Sequence, residues 1–151
     1  MISWARFRID SPDLAAFGKR RLEGRIAYLA TIRKDGSPRV HPVSPLIVDD
    51  RLFLYMEPTS PKGHDLRRDP RYMLHCGVED SEGGQGEFFV RGEALEVTDK
   101  KTREEVFEYA EQVGFSPEER YVLFEFGISE AMSTLYDEVG PQRTRWKPRS
   151  S

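Results

Sequence analysis

Hydrophobic residues follow two different spacings along the chain. Near the amino end Leu14 and Phe17 share one helical face, Ser11 can cap a helix, and Pro12 suits its first position. The pattern therefore predicts a helix from about residue 11 to residue 22. From residue 26 onward the apolar residues form short runs, which are typical of strands. Six strands are predicted, at residues 26–32, 39–48, 52–56, 72–78, 88–97 and 121–128.

The predicted strands are joined by turn sequences. Asp35-Gly36 supplies the positive φ that a tight hairpin needs. Pro42 and Pro45 interrupt the second strand, and because proline donates no ladder hydrogen bond, this strand is expected at a sheet edge or bulge. Consecutive strands joined by hairpins favour an antiparallel barrel over a parallel sheet with crossover helices.

Two further helices are predicted between strands. One begins at Ser60, a good capping residue, with Pro61 in its first position, and the other begins at Asp99 and ends near Val113. The expected fold is mainly β (α+β): a six-stranded antiparallel barrel with two or three short helices. A length of 151 residues fits a single domain. Its expected parts are an amino-terminal helix (1–24), the barrel with its helices (25–136) and an irregular tail without periodicity (137–151).

Composition narrows the class of protein. The net charge is -3, and no long basic block appears, so nucleic-acid binding is not expected. No apolar run is long enough to span a bilayer, so no membrane association is expected. Cys76 is the single cysteine, which excludes an intrachain disulfide and a cysteine zinc cluster. The three histidines have no recognisable metal spacing, so no metal site is predicted. A cytoplasmic location is the default expectation.

The segment Thr59 to Lys62 is the best candidate for a ligand site. Backbone N–H groups at a helix start attract anions, and here two hydroxyls and a lysine are added to them. Basic residues continue beyond Lys62 as far as Arg71, which favours a small anionic ligand. The alternative is a capped helix with a solvated lysine, and the residues of this segment alone leave both open.

Several ordered segments resemble one known family. They are Tyr28–Pro38, Val40–Pro45, Leu52–Tyr55, Ser60–Lys62 with Asp65–Arg71, and Glu87–Gly92. This order is similar to that of the pyridoxamine 5′-phosphate oxidase-like family of FMN-binding split barrels, and the resemblance covers about residues 24–97. It implies a split barrel, a homodimer, FMN bound in a groove between the two subunits, a small-molecule substrate and flavin-dependent oxidoreductase activity.

The resemblance also implies which residues contact the flavin. His41 stands where the family often has a phosphate-binding arginine, and Glu87 stands where a glutamine from the partner strand often reaches the ring. The full set of implied cofactor-binding residues is His41, Pro42, Val43, Tyr55, Met56, Thr59, Ser60, Lys62, Arg67 and Glu87. No catalytic residue is assigned.

The chain departs from the family pattern at the phosphate site. Pro61 replaces a basic residue and His41 replaces the arginine, so Arg67 or Arg68 is expected to supply a missing charge. The arginine and histidine of the true oxidase's carboxy-terminal substrate site are not evident, so oxidation of pyridoxamine phosphate itself is not expected.

Three alternatives to an FMN enzyme stay open. The first is a deazaflavin-dependent reductase on the same fold, with Arg67, Arg68 and Arg71 binding the longer acidic tail. The second is a non-enzymatic flavin- or haem-binding module, with a histidine as the iron ligand. The third is a structural dimer that has lost its cofactor.

Overall fold

A computed structural model describes residues 1–150, which form four helices and nine strands. In chain order they are α1 (Trp4–Asp10), α2 (Pro12–Leu22), β1 (Ala27–Ile32), β2 (Pro38–Val43), β3 (Leu46–Val48), β4 (Arg51–Met56), α3 (Pro61–Arg68), β5 (Arg71–Cys76), β6 (Glu87–Glu96), α4 (Lys100–Gln112), β7 (Val122–Phe126), β8 (Glu130–Asp137) and β9 (Gly140–Trp146). None of the helices in this part of the chain is long and apolar enough to cross a bilayer.

The strands form one antiparallel sheet that curls on itself. Its main path runs β2-β1-β5-β6-β7-β4-β3, and β8 branches from β6 and pairs with β9. The two end strands, β2 and β3, are separated in the chain only by Ser44 and Pro45. Two ends so closely linked cannot lie far apart, so the sheet curls until its edges approach each other. The mainly β, antiparallel split-barrel prediction is confirmed.

The barrel splits along β6. Residues 87–91 of this strand pair with β8, whereas residues 94–96 pair with β7. Gly92 lies where the partner changes, and a Cβ added to it would lie 2.1 Å from the carbonyl oxygen of Gly127. Glycine is therefore required here, because any side chain would separate β6 from the link between β7 and β8.

The core has two parts. Inside the barrel, Phe88 is fully buried and packs against the rings of Trp4, Phe7 and Phe17, so α1 and α2 cover one opening of the barrel. On the other side of the sheet, α4 places Val106 over a smaller cluster beneath it. These packed layers hold the ends of β2 and β4 in fixed positions beside α3.

Four details of the sequence prediction are corrected. The second predicted strand is two strands, because the chain breaks at Ser44-Pro45; with β8 and β9 added, nine strands replace the predicted six. Four helices replace the predicted two or three: the helix predicted from about residue 11 to residue 22 is observed as α2, and an additional helix, α1, precedes it. The tail expected to be irregular contains β9, whose register with β8 places Trp146 opposite Ala131.

Candidate functional site

The turn between β4 and α3 brings a serine and a lysine into contact. Pro61 occupies the first helical position, as predicted, and Ser60 precedes it in extended conformation. Ser60 makes no capping hydrogen bond, contrary to expectation; its buried hydroxyl oxygen accepts a 2.9 Å hydrogen bond from the Lys62 ammonium. The hydroxyl thus orients the lysine and does not complete the helix.

Lys62 is a half-buried cation. Burial lowers its pKa, because the charged form loses contact with water. Within residues 1–150 no carboxylate lies within ion-pair distance of its ammonium group. A partly desolvated charge without an opposite charge costs free energy. The position therefore favours binding of an anion.

Two more basic residues lie on β2 near Lys62. Side chains two apart on a strand share a face, and Arg39 and His41 pair with Thr31 and Leu29 of β1. The pKa of His41 is lowered by burial first, and then by the positive charges of Lys62 and Arg39. Both positive charges thus act on the His41 ring. The three side chains are called the cation cluster below: Arg39, His41 and Lys62.

A buried carboxylate lies beneath the cluster. Asp65 on α3 is 2% exposed and accepts hydrogen bonds from Arg39 Nε (2.7 Å) and the Thr31 hydroxyl (2.8 Å). Arg68 lies 3.5 Å from its other oxygen. Burial raises the pKa of Asp65, but these hydrogen bonds and the arginine charges outweigh burial and lower it overall. Asp65 is therefore ionised at neutral pH and fixes one side of Arg39.

A groove of about 660 Å³ begins at Lys62. Tyr55 lies on one wall, where burial raises its pKa and its ring centroid is 6.0 Å from that of Phe115. Five of the residues implied by the family resemblance line this groove: Pro42, Val43, Tyr55, Met56 and Lys62. Aromatic and aliphatic side chains of α4 and the segment after it also line the groove: Tyr109, Val113, Phe115 and Tyr121. The lining is mainly apolar and also includes the charged residues Glu23, Arg25, Glu57 and Lys62.

Apart from Ser60, which contacts Lys62, three residues of the implied set lie outside the cluster and the groove. Thr59 is exposed at the turn. Arg67 donates a 2.8 Å hydrogen bond to Glu96 and stacks on Phe124, so it is held away from the cluster. Glu87 accepts a hydrogen bond from the Tyr136 hydroxyl and lies 3.8 Å from His75. The structure therefore does not bring Arg67, which was expected to supply a missing charge, to the cation cluster.

Two residues of this site were missed by sequence reasoning. The sequence predicted Arg39 only as the start of a strand, and Asp65 only as part of the segment Asp65–Arg71 that carries the family resemblance. The alternation of β2 was a usable signal, because it places Arg39 on the face of His41. No sequence pattern linked Asp65 to Arg39, since they lie on different elements.

Comparison with protein families and solved structures agrees with this architecture. The family profile described as pyridoxamine 5′-phosphate oxidase matches residues 16–131, well over half of the chain. The chain belongs to this family. The predicted resemblance is thereby confirmed for the pyridoxamine 5′-phosphate oxidase family. No curated protein matches the sequence.

Solved structures with the same fold are distant in sequence. A Listeria innocua protein provisionally assigned as a pyridoxamine 5′-phosphate oxidase is 17% identical, with a TM-score of 0.62 and coverage of 82% of this chain and 95% of that one. A haem binding protein from Mycobacterium smegmatis is 14% identical (TM-score 0.63, 85% of this chain), but this chain spans only 57% of its length. The haem storage protein HutZ from Vibrio cholerae is 15% identical (TM-score 0.59; 91% and 93%). At these identities the likeness concerns the fold.

Proposed function

We propose that this protein binds FMN and is a flavin-dependent oxidoreductase that works as a homodimer. The observation that supports the proposal is the cation cluster, whose Lys62 lines a mainly apolar groove. A phosphate monoester suits Arg39, His41 and Lys62, and the groove gives the ribityl chain and ring a path past Tyr55 and Met56.

The charge of the cluster favours FMN over a deazaflavin. Three permanent cations, Arg39, Lys62 and Arg68, accompany one carboxylate: Arg39 and Arg68 pair with Asp65, and Lys62 has no ion-pair partner within residues 1–150. The remaining two positive charges match a phosphate monoester, which carries about -1.5 to -2 at pH 7. A phosphodiester carries only one charge at this position. Arg67, which a longer acidic tail would need, is already paired with Glu96.

An apolar sheet face supports the homodimer. Tyr28, Val40 and Met73 project from the outer side of β1, β2 and β5 and are 47%, 64% and 37% exposed. They surround Pro42, which pairs with Tyr28 and also lines the groove. A second copy on this face would remove these side chains from water and close the groove from outside. The shared site then needs both subunits.

The flavin, when bound, supplies the hydride or electron chemistry. In this proposal the cation cluster binds the phosphate, the Ser60 hydroxyl orients Lys62, and the backbone of Pro42 and Val43 positions the ring. Pyridoxamine phosphate itself is not the proposed substrate, because β8 and β9 contain no histidine and the Arg145 side chain points to Glu130 at 3.4 Å.

The direct test is retention of flavin. Protein purified with added FMN should show flavin absorbance through gel filtration, elute as a dimer, and melt at a higher temperature than without FMN. A parallel titration with a deazaflavin should give weaker binding. Colourless protein whose melting temperature does not respond to FMN would exclude the proposal.

A haem-binding role is the second candidate, and the geometry of His75 supports it. Its Nδ1 lies 2.6 Å from the Cys76 carbonyl oxygen, which can only accept, so the neutral ring carries its lone pair on Nε2. Iron-ligating histidines commonly have their other nitrogen fixed in this way. Tyr28 and Met73 offer apolar surface beside it. Two of the solved structures described above are haem proteins.

Haem titration separates the two candidates. A Soret band that appears with the native protein and is lost in His75→Ala, but not in His64→Ala, would support haem ligation by His75. His64 is the matched control because it is exposed on α3. A Soret band that is unaffected by His75→Ala would exclude it.

A further inference from the structure

We infer that Arg39 is the arginine that binds the cofactor's phosphate in this chain, through the two terminal nitrogens of its guanidinium group. The inference rests on the proposed function, since it concerns the phosphate of FMN. It assigns a phosphate contact to a residue outside the set that the family resemblance implied.

The position of Arg39 on β2 is the first argument. Arg39 and His41 are two residues apart and face the same side of the strand. An arginine side chain is longer than a histidine side chain, so Arg39 can reach an anion that His41 contacts directly. Its charge already acts on the His41 ring. A phosphate at His41 therefore lies within the field of Arg39.

The fixed orientation of the guanidinium group is the second argument. Asp65 binds Arg39 through Nε at 2.7 Å, and Thr31 holds the same carboxylate oxygen at 2.8 Å. Within residues 1–150 the terminal nitrogens of Arg39 have no hydrogen-bond partner. An arginine that is held by Nε keeps its terminal N–H groups for a second anion, and their planar arrangement suits two phosphate oxygens. A lysine has one nitrogen and cannot serve Asp65 and a phosphate in the same way.

The test compares FMN with riboflavin, which lacks the phosphate. Dissociation constants are measured by flavin fluorescence for the native protein and for Arg39→Lys. Weakening of FMN binding by roughly tenfold or more, the range for a lost charge-assisted hydrogen bond, is expected for Arg39→Lys, with riboflavin binding unchanged. A general structural disturbance would weaken both ligands equally.

A double variant tests whether Arg39 acts by direct contact with the phosphate or only through the net charge of the site. It also avoids leaving a carboxylate at position 65 without its partner. Arg39→Gln with Asp65→Asn removes one positive and one negative charge, so the net charge of the site is unchanged. The matched control is Arg51→Gln with Glu125→Gln, which removes another cross-element pair (2.6 Å) away from the groove. Only the first double variant should lose FMN affinity.

The outcomes distinguish this inference from the proposed function. If native protein binds FMN and both Arg39 variants bind it equally well, Arg39 makes no phosphate contact and the inference fails alone. If the native protein binds neither flavin, the proposed function fails and the inference fails with it. Selective loss of FMN affinity, with riboflavin unaffected, supports both.

Discussion

The ring of Phe88 occupies the space above Gly18: a Cβ added to Gly18 would lie 2.3 Å from the Cζ atom of Phe88. Phe88 cannot move away, because it is fully buried and packed against Trp4, Phe7 and Phe17. A glycine inside α2 costs helix propensity, about 1 kcal/mol relative to alanine. Here that cost is offset by the close packing of α2 on β6.

Gly18→Ala is therefore expected to destabilise the protein despite its better helix propensity. Overpacking of this kind costs about 1–3 kcal/mol, measured as the change in unfolding free energy by urea denaturation. The control is Gly63→Ala in α3, where the nearest atom is the flexible Met56 sulfur at 3.1 Å. Gly63→Ala should change stability little. A Gly18→Ala variant as stable as the native protein would show that Phe88 has room to shift.

Trp146 ties the carboxy-terminal hairpin to α1. Its side chain is 7% exposed, its ring centroid is 5.0 Å from that of Phe7, and its Nε1 donates a 3.2 Å hydrogen bond to Asp10. Trp146→Ala should cost about 3–5 kcal/mol, the usual range for removing a buried large aromatic. Trp146→Phe keeps the packing and should lose only about 1 kcal/mol for the hydrogen bond. Equal denaturation midpoints for the two variants would contradict this role.

The hairpin also illustrates what the sequence could not reveal. Strands with many buried apolar residues, such as β7, carry their own apolar pattern and were predicted. In β9 only Trp146 is buried, so the strand exists because β8 pairs with it and not because of its own periodicity. The same holds for α1, whose helical conformation is stabilised by packing of Trp4 and Phe7 in the barrel opening. Pairing and packing between segments that are far apart in the chain leave no signal in the local sequence pattern.

Only part of the candidate site was predicted, for a similar reason. The hydroxyl and lysine of the β4–α3 turn are neighbours in the chain, and a local pattern identified them. Arg39 meets Asp65 only because β1, β2 and α3 pack together, so the sequence indicated Arg67 or Arg68 and not Arg39. Arg68 lies 3.5 Å from Asp65, whereas Arg67 pairs with Glu96. Of β2, the family resemblance implied His41, Pro42 and Val43 as cofactor contacts but not Arg39.

Asp65 should make stability depend on acid pH. Its pKa is lowered in the folded protein by Arg39 and Thr31, so its ionised form stabilises the fold above the unfolded pKa of about 3.8. This contribution is lost as pH falls through the lower, folded pKa. Native protein and Asp65→Asn should therefore differ most in unfolding free energy at pH 6 and converge as pH falls below 3.8. An equal difference at every pH would show that Asp65 is not ionised in the folded state.

His41 should make the affinity for FMN depend on pH between 6.5 and 8. In the ligand-free protein its pKa is lowered by burial, Lys62 and Arg39, so the ring is largely neutral above its ordinary pKa of 6.5. A bound phosphate favours the protonated ring and raises that pKa, so protons and FMN bind together. Affinity should increase as pH falls from 8 to 6.5, a range in which the phosphate remains mostly a dianion. His41→Gln should abolish most of this increase. Parallel pH profiles for the two proteins would exclude His41 as a phosphate contact.

Lys62 should lower the stability of the ligand-free protein while it strengthens FMN binding. Its pKa is lowered by burial, which means that the charged form is less favourable in the fold than in the unfolded chain. Lys62→Met keeps an unbranched side chain, one heavy atom shorter, and removes the charge. The variant should melt at a higher temperature than the native protein without ligand, and bind FMN at least tenfold more weakly, with riboflavin affinity unchanged.

Lys19→Met is the control, because Lys19 is exposed on α2 and its replacement should change neither quantity. A Lys62→Met variant that loses stability without ligand would show that the hydrogen bond to Ser60 outweighs the cost of burying the charge. Undiminished FMN affinity would remove Lys62 from the phosphate site.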